Sequence, residues 1–150
     1  MRQVLMVCLG NICRSPLAEG ILQSKVDATK IKVDSAGTAA YHVGELPDKR
    51  SIEIARKHGI DLSSQRARKF TRKDFDIFDV IYAMDLSNYQ NIIDLARNKE
   101  DCKKVHLILN ETYPNENREV PDPYYGGLEG FEKVFQLLDE ACTLIQQKIQ

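Results

Sequence analysis

Short apolar segments alternate along the whole chain with segments whose apolar residues recur at helical spacing. The apolar segments predict strands at residues 4–9, 31–36, 80–83 and 105–109. Strands that alternate with helices favour right-handed crossovers between parallel neighbours. The sequence therefore predicts an α/β fold in which helices cover both faces of a four-stranded parallel sheet.

Several residues predict where the helices begin and end. Ser15 is expected to cap the first helix with its hydroxyl. A second helix is expected at residues 48–58, with Gly59 as its C-terminal cap. The most regular pattern predicts a long helix over residues 128–145. Neither a repeat nor a linker divides the chain, so we expect residues 1–150 to form a single domain.

Charge and composition restrict the classes of partner. The net charge is only -1, which argues against nucleic acid and against an anionic membrane surface as partners. The apolar run near the N-terminus is short, and a polar loop follows it instead of a small-residue cleavage site. No other run approaches the length of a membrane-spanning helix. We therefore expect a cytoplasmic protein with no membrane partner.

The cysteines and histidines give little support for disulfides or for metal binding. The chain has 4 cysteines, but a reducing compartment disfavours a disulfide framework. No CxxC pattern occurs, and the 3 histidines are separated from the cysteines in sequence. Cys142 lies on the apolar face of the last helix, where a core role is expected. We expect neither a metal ion nor another cofactor.

The loop after the first predicted strand carries the residues best suited to chemistry. Ligands of parallel sheets bind at the carboxyl ends of the strands. The loops after Val7, Ala36, Ala83 and Leu109 are therefore expected to share one rim. The first of them, residues 8–15, places a Cys and an Arg six positions apart between a strand and a helix start.

This spacing is suited to holding a tetrahedral anion. Gly10 and Asn11 favour tight or left-handed conformations that turn backbone N–H groups inward, and the helix start adds its positive end. The same surroundings favour the thiolate form of Cys8. Arg14 can hold two phosphate oxygens as a bidentate fork, and Ser15 can donate a hydrogen bond to the thiolate. The loop therefore predicts a phosphate cradle with a nucleophilic cysteine.

Four motifs, in the same order along the chain, resemble the low-molecular-weight protein tyrosine phosphatase family. They are Val7-Cys8-Leu9-Gly10-Asn11-Ile12-Cys13-Arg14-Ser15-Pro16, Asp34-Ser35-Ala36-Gly37-Thr38, Ala83-Met84-Asp85 and Asp122-Pro123-Tyr124-Tyr125-Gly126. The resemblance implies a Rossmann-like fold and hydrolysis of phosphotyrosine through a phosphocysteine on Cys8. It implies phosphotyrosine-containing proteins or peptides as substrates, with small aryl phosphates also hydrolysed. Inorganic phosphate and vanadate would compete, and the protein would be a monomer or a weak homodimer.

The resemblance also assigns the residues that contact substrate. Arg14 is the phosphate clamp, and Asp122 is the general acid and then the general base. Without the resemblance, Asp122 and Pro123 would be interpreted as an ordinary Asp-Pro turn. Tyr41 and Tyr124 would line the substrate pocket with Tyr125 beside them, although the residues alone would favour surface or core packing for each ring. Tyr124 and Tyr125 also resemble sites that kinases phosphorylate. The substrate phosphate would be surrounded by Leu9, Gly10, Asn11, Ile12, Cys13 and Ser15.

Supporting residues follow from the same resemblance. Asn11, Ser35 and His58 match a hydrogen-bond network beneath the loop, although His58 alone would be interpreted as a helix-end residue. Asp85 matches a carboxylate that orients the loop Arg. Cys13 matches a partner thiol that forms a reversible disulfide with the nucleophile, and the alternative is a loop cysteine with no redox role.

Other functions remain open at this level. An arsenate reductase on the same scaffold would need resolving cysteines near the loop, and Cys102 and Cys142 are poorly placed for that. Phosphoarginine phosphatases carry Thr at the position of Ile12. A non-catalytic phosphotyrosine-binding module would be expected to lack the loop Cys, the loop Arg or the acid. A basic cluster is interpreted as solvated surface, with docking of acidic sequence as the alternative; it comprises Arg66, Arg68, Lys69, Arg72 and Lys73.

Overall fold

A four-stranded parallel sheet forms the centre of the computed structural model, which describes residues 1–124 and 127–149. The strands are β1 (Arg2–Cys8), β2 (Ile31–Gly37), β3 (Val80–Ala83) and β4 (Val105–Leu107). Their order in the sheet is β2-β1-β3-β4, and all neighbouring pairs are parallel. The predicted α/β fold is confirmed.

Helices connect the strands and cover the sheet. They are α1 (Arg14–Lys25), α2 (Lys49–Lys57), α3 (Asp74–Ile77), α4 (Leu86–Ile93), α5 (Lys99–Lys103) and α6 (Leu128–Ile149). The sequence did not predict α3 and α5, because helices of 4 and 5 residues are too short to show a periodic pattern. Within the described residues, no helix is both long enough and apolar enough to cross a membrane.

Two apolar cores lie on opposite faces of the sheet. Alternate residues of β1 enter them: Val4 and Met6 pack with α1 and α6, whereas Leu5 and Val7 pack with the residues around α3 and α4. All four side chains are fully buried. A strand that is apolar on both faces is typical of a central parallel strand. The prediction that helices cover both faces is therefore confirmed.

The carboxyl ends of the strands lie at one rim, as predicted. The parallel register aligns Cys8 with Gly37 in β2, and Val7 with Ala83 in β3. Ala83 is in turn aligned with Leu107 in β4. The loops that follow these residues therefore begin side by side, although they are far apart in sequence.

Some predicted ends differ from the structure. β1 ends at Cys8, and Leu9 lies outside it with 41% of its surface exposed. β4 is shorter than predicted because residues 108–110 form a 3-10 turn. The predicted cap of α1 was wrong: the helix begins at Arg14, and Ser15 directs its hydroxyl to another partner described below. The predicted cap at Gly59 is confirmed by its left-handed φ of 77°.

Candidate active site

The cysteine loop, residues 8–15, joins the end of β1 to the first turn of α1. Cys8 is almost completely buried, with 3% of its surface exposed. The backbone N–H of Asn11 donates to Cys8 Sγ at 3.3 Å, and Ser15 Oγ lies 3.0 Å from the same sulfur. The N-terminus of α1 adds the positive end of its dipole. These groups together can stabilise a negatively charged sulfur.

The end of β2 holds the first residues of this loop. Thr38 donates its backbone N–H to the Cys8 carbonyl at 2.9 Å, and Ala39 donates to the Leu9 carbonyl at 3.0 Å. A Cβ atom on Gly37 would lie 2.7 Å from the Leu9 carbonyl oxygen. Only glycine therefore allows β2 to approach the loop this closely.

The side chain of Asn11 connects the loop to its surroundings. Its Nδ2 donates to Ser15 Oγ at 2.8 Å and to Ser35 Oγ at 2.9 Å, while its Oδ1 accepts from the backbone N–H of Arg68 at 3.0 Å. Asn11 has a left-handed φ of 58°, a conformation that Asn adopts more readily than most residues. The bonds on both ends of its amide fix that conformation, which is also the one that directs its backbone N–H to Cys8.

Arg14 is held beneath the loop before any anion binds. Its Nη1 donates to Asp85 Oδ2 at 2.8 Å and to the Val120 carbonyl at 2.9 Å, and only 3% of its side chain is exposed. Burial alone would lower the pKa of Arg14, but the nearby Cys8 and Asp85 outweigh it and raise the pKa above its usual value. Asp85 Oδ1 also accepts from the backbone N–H of Asn88 at 2.7 Å, which caps α4. Arg14 is therefore a permanent cation with a fixed orientation.

A cavity of about 240 Å³ opens above the cysteine loop. Tyr41 and Tyr124 lie at its mouth, with 76% and 39% of their surfaces exposed. The lining residues are Cys8, Leu9, Gly10, Ile12, Cys13, Arg14, Tyr41, His42, Asp122 and Tyr124. The cavity thus combines a thiol and a guanidinium at its base with aromatic rings at its entrance.

Asp122 lies at the mouth on the aspartate loop, residues 111–124. Its Oδ2 is 3.8 Å from Arg14 Nη2, and its side chain is 43% exposed. Its Oδ1 accepts from the backbone N–H of Tyr124 at 3.0 Å. Arg50 Nη2 donates to the Tyr124 carbonyl at 3.0 Å, which ties this loop to α2. A carboxylate therefore faces the cavity from the side that is open to solvent.

Comparison with known proteins decides the family. The family model described as low molecular weight phosphotyrosine protein phosphatase matches residues 3–150. This chain belongs to that family. The resemblance noted from the four motifs is thereby confirmed, and the family consists of hydrolases.

Individual members of this phosphatase family are similar to this chain in sequence or in structure along almost its whole length. A putative low molecular weight protein-tyrosine-phosphatase of Synechocystis is 49% identical over 144 residues, covering 93% of this chain and 91% of the relative. A protein tyrosine phosphatase of Entamoeba histolytica superposes with a TM-score of 0.92 at 36% identity, covering 99% of this chain and 96% of its own. Wzb of Vibrio vulnificus, solved with benzylphosphonate, has a TM-score of 0.88 at 29% identity and 98% coverage of both chains.

The structure brings most of the predicted site residues together. Nine of them line the one cavity named above: Cys8, Leu9, Gly10, Ile12, Cys13, Arg14, Tyr41, Asp122 and Tyr124. Asn11, Ser15 and Ser35 lie beneath it in one hydrogen-bond network, and Asp85 holds Arg14. Tyr125 lies outside the described residues. In the part of the chain that the structure describes, no group of three or more His, Cys, Asp or Glu side chains could hold a metal ion.

The prediction that His58 joins the network beneath the loop was wrong. His58 is the C-terminal cap residue of α2, where its ring stacks on Phe135 with centroids 4.0 Å apart. Its Nε2 lies 3.9 Å from Glu132 Oε1. The amide of Asn11 instead uses two serines and a backbone N–H as partners. His58 therefore packs α2 against α6, which agrees with its interpretation as a helix-end residue.

Cys13 lines the same cavity as Cys8 and is a free, buried cysteine. Burial, with further contributions from Asp48, Cys8 and Asp122, raises the pKa of Cys13 to about 12. Cys13 therefore stays protonated near neutral pH. The predicted disulfide between Cys8 and Cys13 stays a prediction.

Three residues at the site were not predicted from sequence. His42 lines the cavity, and its Nδ1 lies 2.8 Å from Glu45 Oε2. Glu19 accepts a hydrogen bond from Ser35 Oγ at 2.6 Å. The only available signal for Glu19 was a charged residue on the largely apolar α1, four positions after Ser15.

Arg68 was the third unpredicted residue. It had been grouped with the solvated basic cluster, but its guanidinium bonds to both Asp34 and Asp74 within the fold. The other four members of the cluster are exposed, as expected: Arg66, Lys69, Arg72 and Lys73.

Proposed function

We propose that this protein hydrolyses phosphotyrosine in proteins or peptides by transferring the phosphoryl group to Cys8. The observation that carries the proposal is the convergence of the Asn11 N–H and the Ser15 hydroxyl on Cys8 Sγ, at the base of a cavity that Arg14 also lines. A sulfur supported by these donors is suited to act both as nucleophile and as leaving group.

The first step forms the phosphocysteine. The substrate phosphate binds to the backbone N–H groups of the cysteine loop and to Arg14, whose other contacts already fix its orientation. Cys8 Sγ attacks phosphorus, and the bond from phosphorus to the phenolic oxygen breaks. Because a phenolate is a poor leaving group, with a pKa of about 10 for tyrosine, protonated Asp122 donates its proton to that oxygen.

The second step releases inorganic phosphate. Asp122, now ionised, removes a proton from a water molecule that attacks phosphorus, and the bond between phosphorus and sulfur breaks. The electron pair returns to Cys8, where Ser15 and the Asn11 N–H stabilise the thiolate. Asp122 ends the cycle protonated, so one carboxyl group serves both half-reactions. Inorganic phosphate and vanadate should compete for the same cradle.

The rings at the cavity mouth support an aryl substrate. Tyr41 and Tyr124 lie where they can flank the phenyl ring of a phosphotyrosine whose phosphate contacts the cysteine loop. The benzylphosphonate in the structure of Vibrio vulnificus Wzb is an aromatic phosphonate bound to a relative. Phosphoserine lacks the ring that would contact these walls. Selectivity for phosphotyrosine over phosphoserine is the consequence.

The placement of Cys142 does not favour a role for it in arsenate reduction. Cys142 is fully buried in the core, where its Sγ contacts the Ala18 carbonyl. Burial raises the pKa of Cys142 well above its usual value. A buried thiol that stays protonated is not suited to attack a disulfide or an arsenic adduct on Cys8.

The test is steady-state hydrolysis of phosphotyrosine, phosphoserine and phosphoarginine peptides with EDTA present. We expect phosphotyrosine to be preferred, Cys8→Ser to be inactive, and vanadate to inhibit competitively. Cys102→Ser is the matched control, because it makes the same change in α5 at a partly exposed cysteine. A requirement for divalent metal, or a preference for phosphoarginine, would contradict the proposal. Reduction of arsenate without any phosphatase activity would replace it.

A further inference from the structure

A partly buried carboxyl group lies at one end of the hydrogen-bond network beneath the cysteine loop. Glu19 lies on α1, and its Oε1 accepts from Ser35 Oγ on β2 at 2.6 Å. Ser35 Oγ in turn accepts from Asn11 Nδ2 at 2.9 Å. The chain of bonds from Glu19 therefore reaches, through Ser35, the residue whose backbone N–H contacts Cys8 Sγ.

The two amide hydrogens of Asn11 set the direction of the bonds that its side chain makes to the two serines. Asn11 Nδ2 has two hydrogens, and it donates one to Ser35 and the other to Ser15. Ser35 then has its single hydroxyl proton available for Glu19, and Ser15 has its own for Cys8. Acceptors of opposite function lie at the two ends: a carboxylate at one and the nucleophilic sulfur at the other.

We propose that Glu19 is a positioning residue for Cys8, whose ionised carboxylate anchors Asn11 through Ser35 and so holds the donors of the loop on the sulfur. A carboxylate accepts a stronger hydrogen bond than a neutral carboxyl group does. A hydroxyl that donates to a charged acceptor is also polarised, so it becomes a better acceptor for Asn11. The left-handed Asn11 is thus held most firmly when Glu19 is ionised.

The charged groups around Glu19 place its titration in the working range. Burial, with a smaller contribution from Asp34, raises the pKa of Glu19 to about 7, although the Ser35 hydrogen bond and Arg68 act in the opposite direction. Arg68 also bonds to Asp34 and to Asp74, so part of its charge is taken up by carboxylates other than Glu19. Both forms of Glu19 are therefore present near neutral pH, and its charge can change with small changes in pH.

The kinetic test compares the wild type with Glu19→Gln, which keeps an oxygen acceptor of similar length but removes the charge. This readout rests on the proposed phosphotyrosine hydrolysis. The ratio of kcat/KM between the two proteins cancels the ionisations that they share, including that of the substrate. We expect kcat/KM of the wild type, divided by kcat/KM of Glu19→Gln, to rise about fivefold between about pH 5.5 and pH 8.5. The midpoint of this rise should lie near the pKa of Glu19.

Two further variants separate positioning from a structural role. In a Ser35→Ala background, which breaks the link to Asn11, we expect Glu19→Gln to cause no pH-dependent change. Glu140→Gln is the matched control, because Glu140 is an exposed residue on α6 and makes the same change of charge away from the site. If the wild-type kcat/KM divided by that of Glu19→Gln stays constant or falls as pH rises, the proposal is overturned, even if the variant is slower at every pH.

A second readout does not need phosphatase activity. The rate at which iodoacetamide alkylates Cys8, followed by mass spectrometry of its peptide, should be higher in the wild type than in Glu19→Gln above the same midpoint and similar below it. If the wild type fails to hydrolyse phosphotyrosine, the proposed function fails, while this assay still decides on Glu19. Equal pH dependence of alkylation in both proteins overturns the positioning role.

Discussion

The cysteine loop and the aspartate loop supply the two halves of the proposed chemistry, and they are built differently. In the cysteine loop, Cys8, Asn11 and Arg14 are each at most 3% exposed, and their polar atoms have partners from several elements. In the aspartate loop, Asp122 is 43% exposed and its carboxylate accepts from a backbone N–H only two residues away. The groups that would bind the charged phosphate are thus held in position before substrate binds, whereas the proton donor stays accessible to water.

The two carboxylates near Arg14 show the same contrast. Asp85 Oδ2 lies 2.8 Å from the guanidinium and is mostly buried, whereas Asp122 Oδ2 lies 3.8 Å away and is open to solvent. A close, buried carboxylate is suited to hold a cation, and it has no spare position for proton transfer. A more distant, hydrated one can gain and lose a proton during turnover. Similar side chains therefore take different roles because of their surroundings.

Arg14→Lys should have the largest effect among the variants that leave Cys8 in place. Lysine cannot provide a planar fork that donates to Asp85 and Val120 while also holding the phosphate. We expect kcat/KM for phosphotyrosine peptide to fall about a thousandfold. Arg118→Lys, an exposed arginine paired with Glu116, is the control. A loss of less than about tenfold would show that the cradle does not depend on a fixed guanidinium.

Asp122→Asn should come next and should depend on the leaving group. We expect kcat/KM to fall about a hundredfold for phosphotyrosine but only a few-fold for an aryl phosphate whose phenol is already acidic. Asp85→Asn makes the same change at the buried carboxylate and should slow both substrates equally. Equal losses for both substrates in Asp122→Asn would remove the distinction between the two carboxylates.

Glu19 should make stability depend on pH in an unusual direction for an acidic residue. Its pKa is raised from 4.5 to about 7 in the folded state, so the folded state binds more protons than the unfolded state between these values. The contribution of Glu19 to the free energy of unfolding is therefore fully present below about pH 4.5 and is lost as pH rises to about 7. Urea unfolding should show that Glu19→Gln gains up to about 3 kcal/mol relative to wild type across this range. If the difference in free energy of unfolding between Glu19→Gln and the wild type does not change with pH, Glu19 is hydrated in the folded state and its pKa is not raised.

The smallest of the expected effects is a difference in the free energy of unfolding between Asn11→Ala and Asn11→Gly. Both remove the amide that bonds to Ser15 and Ser35, but only alanine is strained at the left-handed φ of 58°. We expect the glycine variant to be the more stable by about 1 kcal/mol in urea unfolding. If the alanine variant were the more stable, the left-handed backbone would not be a requirement of the cysteine loop.

Local patterns predicted the parts of this molecule that depend on neighbours in sequence. The apolar run of β1, the spacing of Cys8 and Arg14, and the cap at Gly59 are all properties of short segments, and the family motifs added Asp85 and Asp122. The missed features join distant residues. The bond from Arg14 to the Val120 carbonyl spans 106 positions, and no pattern within either segment encodes it.

The errors have the same physical origin. Ser15 was predicted to cap α1 because helix starts favour serine, but its hydroxyl contacts Cys8 instead. His58 was placed beneath the cysteine loop, whereas α2 packs its C-terminal end against Phe135 of α6. Glu19 gave only a weak signal, because a charged residue on a helix is usually solvated. Tertiary contacts decided each case.

The most direct test of the central claim is to trap the phosphocysteine. In Asp122→Asn, an aryl phosphate with an acidic phenol should still phosphorylate Cys8, while the second step is slow because the base is missing. After rapid mixing and denaturation, mass spectrometry should find one phosphoryl group on the peptide that contains Cys8, and none when excess vanadate is present. A phosphoryl group on Ser15 or on another residue, or turnover with no phosphorylated enzyme under these conditions, would contradict the account.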